Sequence, residues 1–172
     1  MFRIDPLANA EQLIRRVYAY AAYRVGDGPD AEDVTSDTFE RALRYRRSYD
    51  PSKGEPIAWL LGIARRCINE SFLAPRATGE NPMESPAPGD LEEDTVRRLG
   101  VVAAVGALSE RERELIALRY GADLTARQIS EVLGLRTNAV EVALHRALGR
   151  LREELEEPGS NSPESSASAR AL

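Results

Sequence analysis

Cysteine, lysine, histidine and tryptophan each occur once in the 172 residues, as Cys67, Lys53, His145 and Trp59. A lone cysteine excludes an internal disulfide and any multi-cysteine zinc site, and it suits a reducing cytoplasm. The single histidine has no Ser or Cys in a nucleophile motif beside it, and no Gly-rich phosphate loop follows a strand. No enzyme activity, cofactor or metal is therefore expected. There is no run of about 18 apolar residues and no signal-peptide pattern, so neither membrane insertion nor export is expected and the chain reads as cytoplasmic. Strand-like alternation is missing too. What is periodic recurs at three and four residues, which makes the expected fold class all-α.

The content that remains is enough to fold. Hydrophobic residues make up 42% and charged residues 30% of the chain, sufficient for one ordinary domain or two small helical ones. The net charge of −5 is an unusual balance for a nucleic-acid binder. Residues 1–75 carry eleven basic and eleven acidic side chains, and residues 107–157 carry eight and ten. Any DNA affinity must then come from basic side chains clustered on one face, aided by a larger partner that supplies most of the grip.

The most informative stretch runs from Leu124 to Leu155. Thr125 and Gln128 form a capping box that starts a short helix at Ala126. Ile129, Val132 and Leu133 are its apolar stripe, Gly134 stands where a left-handed turn residue belongs, and Thr137 or Asn138 caps a second helix from about Ala139. This is helix-turn-helix spacing. Ile129, Leu133, Leu135, Val140 and Leu144 are expected to pack the two helices, leaving Arg136, Thr137, Asn138, Glu141, Val142 and His145 on an outward face able to enter a major groove.

In chain order, residues 8–25 read as a helix with Leu13, Ile14, Val17, Tyr20 and Ala21 on its apolar side. Gly26-Asp27-Gly28-Pro29 breaks it. Asp30 is placed as the N-cap of a second helix running to about Arg46, with Asp30, Glu32 and Asp33 in a first turn where the macrodipole favours negative charge. Val34, Thr38, Ala42 and Tyr45, with Phe39 and Leu43 beside them, face a core. Residues 46–55 form a loop with basic and aromatic side chains together. Pro56 opens a third helix with Trp59, Leu60, Ile63, Ala64, Cys67, Ile68 and Phe72 as its apolar surface. Trp59 and Cys67 are expected to be packing residues.

Residues 76–90 are rich in Pro, Gly, Ser and Glu and read as a flexible linker between two domains, 1–75 and 91–157. A fourth helix, about Leu91 to Ala107, presents Val96, Leu99, Val102, Ala103 and either Val105 or Gly106. Ser109 and Glu112 make a second capping box before Leu115, Ile116, Leu118 and Tyr120, and Gly121 ends that fifth helix. Residues 158–172 have no period and read as a disordered tail.

Three segments in this order carry a resemblance: Asp30-Ala31-Glu32-Asp33-Val34-Thr35-Ser36-Asp37-Thr38-Phe39, then Ile57-Ala58-Trp59-Leu60-Leu61-Gly62-Ile63-Ala64-Arg65, then Leu108-Ser109-Glu110-Arg111-Glu112-Arg113-Glu114 ahead of the helix-turn-helix. Over about residues 8–155 the chain resembles the extracytoplasmic-function (ECF) sigma factors of bacterial RNA polymerase. The resemblance implies a region-two domain over 1–75 for core polymerase and minus-ten DNA, and a region-four domain over 91–157 for minus-thirty-five DNA. It implies core RNA polymerase (β′ clamp and β flap), promoter DNA and an anti-sigma factor as partners.

By the same resemblance, Asp33, Asp37 and Phe39 are candidates for the polymerase contact, an acidic edge beside an aromatic anchor. Arg46, Arg47, Tyr49, Lys53, Arg65 and Arg66 are candidates for melted minus-ten DNA, which needs cations and flat surfaces. Arg127, Arg136, Thr137, Asn138, Glu141, His145 and Arg146 are candidates for minus-thirty-five DNA. The chain departs from the family pattern at Glu141 and Ala143, where basic residues are usual, and at Arg66, where Asn is common. Glu141 can still accept from a cytosine amino group. The chain also begins close to its first helix, so no N-terminal regulatory domain is expected. The competing class is a LuxR-like helix-turn-helix regulator acting without being a polymerase subunit, which Leu108 to Leu155 alone would fit. A third is an interaction protein that binds polymerase without reading a promoter.

Overall fold

The computed structural model describes residues 5–73 and 93–156, and among these every regular element is helical. The linker 76–90 and the tail 158–172 lie outside the described residues. Three helices make the first lobe: α1 (Ala10–Val25), α2 (Pro29–Tyr45) and α3 (Pro56–Ile68), the last prolonged by a π-helical turn at Asn69–Leu73. Four make the second: α4 (Glu93–Ala107), α5 (Glu110–Ile116) with a π-helical turn at Ala117–Gly121, α6 (Ala126–Leu133) and α7 (Thr137–Glu156).

Local chemistry sets most boundaries. Both capping boxes form: Ser109 Oγ accepts from the Glu112 N–H and Thr125 Oγ1 from the Gln128 N–H, while each partner side chain reaches back to the cap N–H. Gly134 sits at φ +66, the left-handed conformation that ends α6. Asp30, by contrast, is not a cap. Pro29 takes the first helical position and Gly28, at φ +125, precedes it, because the proline ring already holds a helical φ and lacks the N–H a cap would satisfy. Asp30 falls inside the first turn, where its charge still faces the dipole. α7 begins at Thr137, not near Ala139: the Arg136 carbonyl accepts from the Val140 N–H at 3.1 Å, and the Thr137 hydroxyl is turned 3.1 Å from Ser130 Oγ.

The core follows the apolar stripes with corrections at their edges. Val17, Tyr20, Ala21, Val34, Thr38, Ala42, Leu60, Ala64, Cys67 and Ile68 are buried as expected, and Leu61 is buried beside them. Ile14 and Leu43 are exposed because each lies off the buried stripe, and Tyr45 is exposed because it is the last residue of α2. In the second lobe Leu115, Ile116, Leu118, Ile129, Val140 and Leu144 are buried. Leu135 and Tyr120 are exposed, and on α4 it is Ala104 and Val105, not Val102 and Ala103, that face inward. The side chains of Phe72, Val96 and Leu99 lie outside the described residues.

The two lobes pack directly on each other. One continuous cluster holds Val17, Tyr20, Leu60 and Ala64 of the first lobe with Leu115, Leu118, Leu124 and Ile129 of the second. Burying side chains of this size contributes on the order of 1.5–3 kcal/mol each, so the seam between the lobes is a core and not a surface contact.

Candidate nucleic-acid and polymerase interface

The helix-turn-helix face is the clearest surface. The Ala126–Leu133 helix is seated by its capping box, Gly134 turns the chain, and α7 leaves with Val140, Leu144 and Ala147 buried at helical spacing. The opposite side of its first turns carries Arg136, Asn138, Glu141, Val142, His145 and Arg146, all exposed. Thr137 is only half exposed, since its hydroxyl serves the turn through Ser130. Arg127 projects from α6 and pairs with Glu131 at 3.4 Å, an exposed i,i+4 contact that a phosphate can displace at little cost. Arginine, asparagine, glutamate and histidine together offer donors and acceptors to base edges.

On α2, Asp33 and Asp37 are exposed, four residues apart on one edge. Phe39 is half buried and packs on the core cluster, so part of its ring is available and part is structural. Glu40 and Arg44 form an exposed pair on the same helix, 2.8 Å apart.

The loop after α2 folds as two short 3-10 turns, Arg46–Ser48 and Pro51–Lys53. Asp50 caps the second, and the Ser52 hydroxyl with its own N–H holds the Asp50 carboxyl below the usual carboxylate range. Tyr49 donates to the Gly54 carbonyl at 3.0 Å and lies against Trp59, ring centres 5.5 Å apart and planes tilted by 57°. Burial, with Glu55 and Asp50 nearby, pushes its phenol up. A cleft results, lined by Tyr49, Lys53 and Trp59 on the first lobe and by Glu131 and Val132 on the second. Trp59 is thus both packed against the core and part of a cleft wall.

The six minus-ten candidates are not all brought together. Tyr49 and Lys53 line the cleft. Arg46 is exposed and paired with Asp5 at 3.3 Å, and Arg47 and Arg66 are exposed. Arg65 is turned to the other lobe: its Nε lies 3.0 Å from Glu114 Oε1, and Nη1 donates to the Val132 carbonyl at 3.4 Å. The reason is its position, nearly two turns beyond Trp59 on the α3 side that faces α6.

Sequence reasoning missed the polar seam. Arg24, with its side chain only 3% exposed, pairs with both Glu110 and Glu114. Tyr20 donates to Glu114 Oε1 at 2.9 Å, and Arg16 donates through Nε to the Ala122 carbonyl at 2.7 Å. Gln128 donates to Glu55 Oε2 at 2.9 Å. One signal was available: Arg24 continues the Val17, Tyr20 stripe by i+7 and i+4, and a charge on an apolar stripe asks for a buried partner.

Fold and surfaces together define a two-lobed helical protein whose second lobe presents a helix-turn-helix. The description Sigma-70 region 2 matches residues 10–74 and Sigma-70, region 4 matches residues 98–151. ECF RNA polymerase sigma factor BldN of Streptomyces coelicolor is 31% identical over 150 residues, covering 82% of this chain and 56% of that protein. SigK of Mycobacterium sp. (strain KMS) is 30% identical, covering 80% of this chain and 76% of that one. SigD of Mycobacterium tuberculosis is 30% identical, with 81% and 71% covered. The chain belongs to the ECF sigma factors of bacterial RNA polymerase.

Two solved structures share the fold: sigma factor RpoE in complex with the anti-sigma factor NepR from Bartonella quintana, at TM-score 0.62 and 21% identity over 87% of this chain and 96% of that one, and CnrH in complex with the cytosolic domain of CnrY, at 0.60 and 23% over 87% and 84%. The LuxR-like alternative is not favoured, because the first lobe, which such a regulator has no need of, carries the region-2 match. No helix among the described residues is long and apolar enough to cross a membrane.

Proposed function

We propose that the chain is a dissociable promoter-specificity subunit of bacterial RNA polymerase that carries out no bond chemistry itself and works in the cytoplasm. The carrying observation is the pairing of an exposed, base-reading face on α7 with a separate acidic edge on α2, in one chain and in the order of the two sigma regions. Asp33 and Asp37 steer the α2 edge to a basic helical surface of the β′ clamp, and the exposed part of Phe39 supplies a desolvated anchor. The second lobe meets the β flap. Arg136, Asn138, Glu141 and His145, with Arg146 and Arg127 toward phosphates, read minus-thirty-five duplex. The Tyr49, Lys53 and Trp59 cleft takes melted minus-ten DNA by stacking and charge, with Arg46, Arg47 and Arg66 as further exposed cations of the first lobe. An anti-sigma factor is a partner.

The test is co-elution with core RNA polymerase on gel filtration, wild type beside an Asp33→Arg, Phe39→Ala double variant whose helical circular dichroism is intact. Association lost in the variant is the expected result. No association by wild type with a cognate core enzyme would overturn the proposal. Run-off transcription from a matched promoter then separates a working sigma factor from a polymerase-binding protein that has lost promoter recognition.

A further inference from the structure

We infer that Val142 is a specificity residue of α7 that selects a thymine in the duplex this helix reads, by packing against the 5-methyl group of the base. The inference rests on the assignment of the α7 face to minus-thirty-five DNA given above.

The inner stripe of α7 is Val140, Leu144 and Ala147, all buried. At about 100° of turn per residue, Val142 stands roughly 165° from the middle of that stripe and Asn138 roughly 155°, whereas Glu141, His145 and Arg146 lie nearer its flanks. Val142 is 45% exposed. Over the first half of α7, the side chain aimed most directly away from the core is thus apolar, in the middle of a polar face.

A lone exposed valine is ordinary on a solvated helix. Its place makes this one different. The residue at the middle of a groove-entering face is the one most fully stripped of water on binding, and a valine side chain neither donates nor accepts a hydrogen bond. Among the groups that base pairs present in the major groove, the thymine methyl is the apolar one. Against cytosine N4, or against the N7 of guanine or adenine, Val142 would leave a polar edge dry and unpaired, at a cost. It therefore favours thymine and also penalises the other bases.

The surroundings suit that contact. Ala139 and Ala143, neighbours of Val142 on one side, reach no further than a methyl, so neither holds the helix back from the base edges. Val142 is β-branched, and such a side chain keeps one χ1 rotamer in a helix, so little freedom is lost in the contact. Asn138 stands one turn earlier on the same line, about 6 Å along the axis, and its amide matches an adenine edge. At about 3.4 Å per base pair, the favoured duplex has its thymine within about two pairs of an adenine.

The experiment uses the full chain assembled with core RNA polymerase and a random-sequence duplex library. Bound duplexes are selected with wild type and with Val142→Ala, whose fold is checked by circular dichroism. The duplex that wild type selects is then remade with deoxyuridine at each upstream thymine in turn, a change that removes the methyl and nothing else. The expected result is one upstream thymine, near an adenine, whose replacement by deoxyuridine weakens wild-type binding about fourfold, the worth of one buried methyl group. The same replacement should leave the binding of Val142→Ala unchanged. Deoxyuridine that costs wild type nothing at every upstream thymine, or costs Val142→Ala as much as wild type, overturns the role of Val142 and leaves promoter reading by the chain standing. A wild-type holoenzyme that selects no upstream sequence overturns the promoter-reading role and the inference with it.

Discussion

Tyr20 donates its phenolic hydrogen to Glu114 Oε1 across the seam between the lobes, 2.9 Å away. The ring is fully buried, and that burial pushes its phenol up to about 12, with Arg24 and Arg65 pulling the other way. In an unfolded chain the same group ionises near 10. The folded form therefore holds a proton that the unfolded form loses first. The resulting stability is fully present below about pH 10 and is lost as pH rises toward 12, amounting to roughly 3 kcal/mol. Tyr18 and Tyr49 are also raised and add slope of the same sign. Urea midpoints measured from pH 9 to 11.5 should fall steeply in wild type and less steeply in Tyr20→Phe. Equal slopes in the two proteins would show that Tyr20 does not titrate as its surroundings dictate.

Thr125 starts α6, and α6 seats α7, the proposed recognition helix. Its hydroxyl accepts from the Gln128 N–H, and the Gln128 side chain returns the bond to the Thr125 N–H at 2.9 Å. Thr125→Ala should cost about 1 kcal/mol, read as a lower urea midpoint with an unchanged slope. Thr125→Ser should restore most of it, since the hydroxyl and not the methyl makes the cap.

Cys67 is buried on α3 beside Thr38, whose hydroxyl stands 3.9 Å from its sulfur, and burial pushes the thiol up. Burial, which outweighs the Thr38 hydroxyl's opposite pull, opposes thiolate chemistry. Ellman's reagent at pH 8 should find one thiol per chain in denaturant and react with the native protein more slowly by roughly two orders of magnitude. Rapid native labelling would mean that the first lobe opens readily by itself.

Arg136 is exposed immediately before α7, and its carbonyl, not its side chain, serves the turn by accepting from the Val140 N–H. Arg136→Ala should leave the melting temperature within about 1 °C, as for an ordinary surface change. In holoenzyme bound to a matched promoter it should weaken minus-thirty-five binding by about tenfold, within the 1–3 kcal/mol range of a lost base contact. An unchanged affinity would move base reading to Asn138, Glu141 and His145.

Where the chain's own chemistry was local, the sequence was legible. Both capping boxes, the Gly134 turn and the apolar stripes of α1, α3 and α5 follow from interactions within four residues, and each forms as the side chains dictate. The misplacements have equally local causes: Pro29 outcompeted Asp30 for the helix start, Ile14 lies at a stripe edge where period alone does not choose between core and solvent, and Tyr45, Tyr120 and Leu135 fall at helix ends or in the turn, where the chain leaves the core. For the site, the α7 face emerged with Thr137 alone diverted to the turn. The minus-ten set did not emerge whole, because Arg65 answers to Glu114, a residue 49 positions away that no periodicity reveals.

Family, helices and the exposed face of α7 were thus determined by sequence, through short-range capping, helical period and ordered motifs. The relation between the lobes was decided by tertiary structure. Gly121 reads in sequence as a helix end, yet in the fold its missing side chain is what lets the Ala117–Gly121 turn rest on the α1 backbone. Arg24 and Glu114 each look like ordinary charges, and only when α1 and α5 are brought together does one become the buried partner of the other. The physical reason is that a buried ion pair and a backbone-to-backbone approach depend on three-dimensional neighbours, which hydrophobic period does not encode.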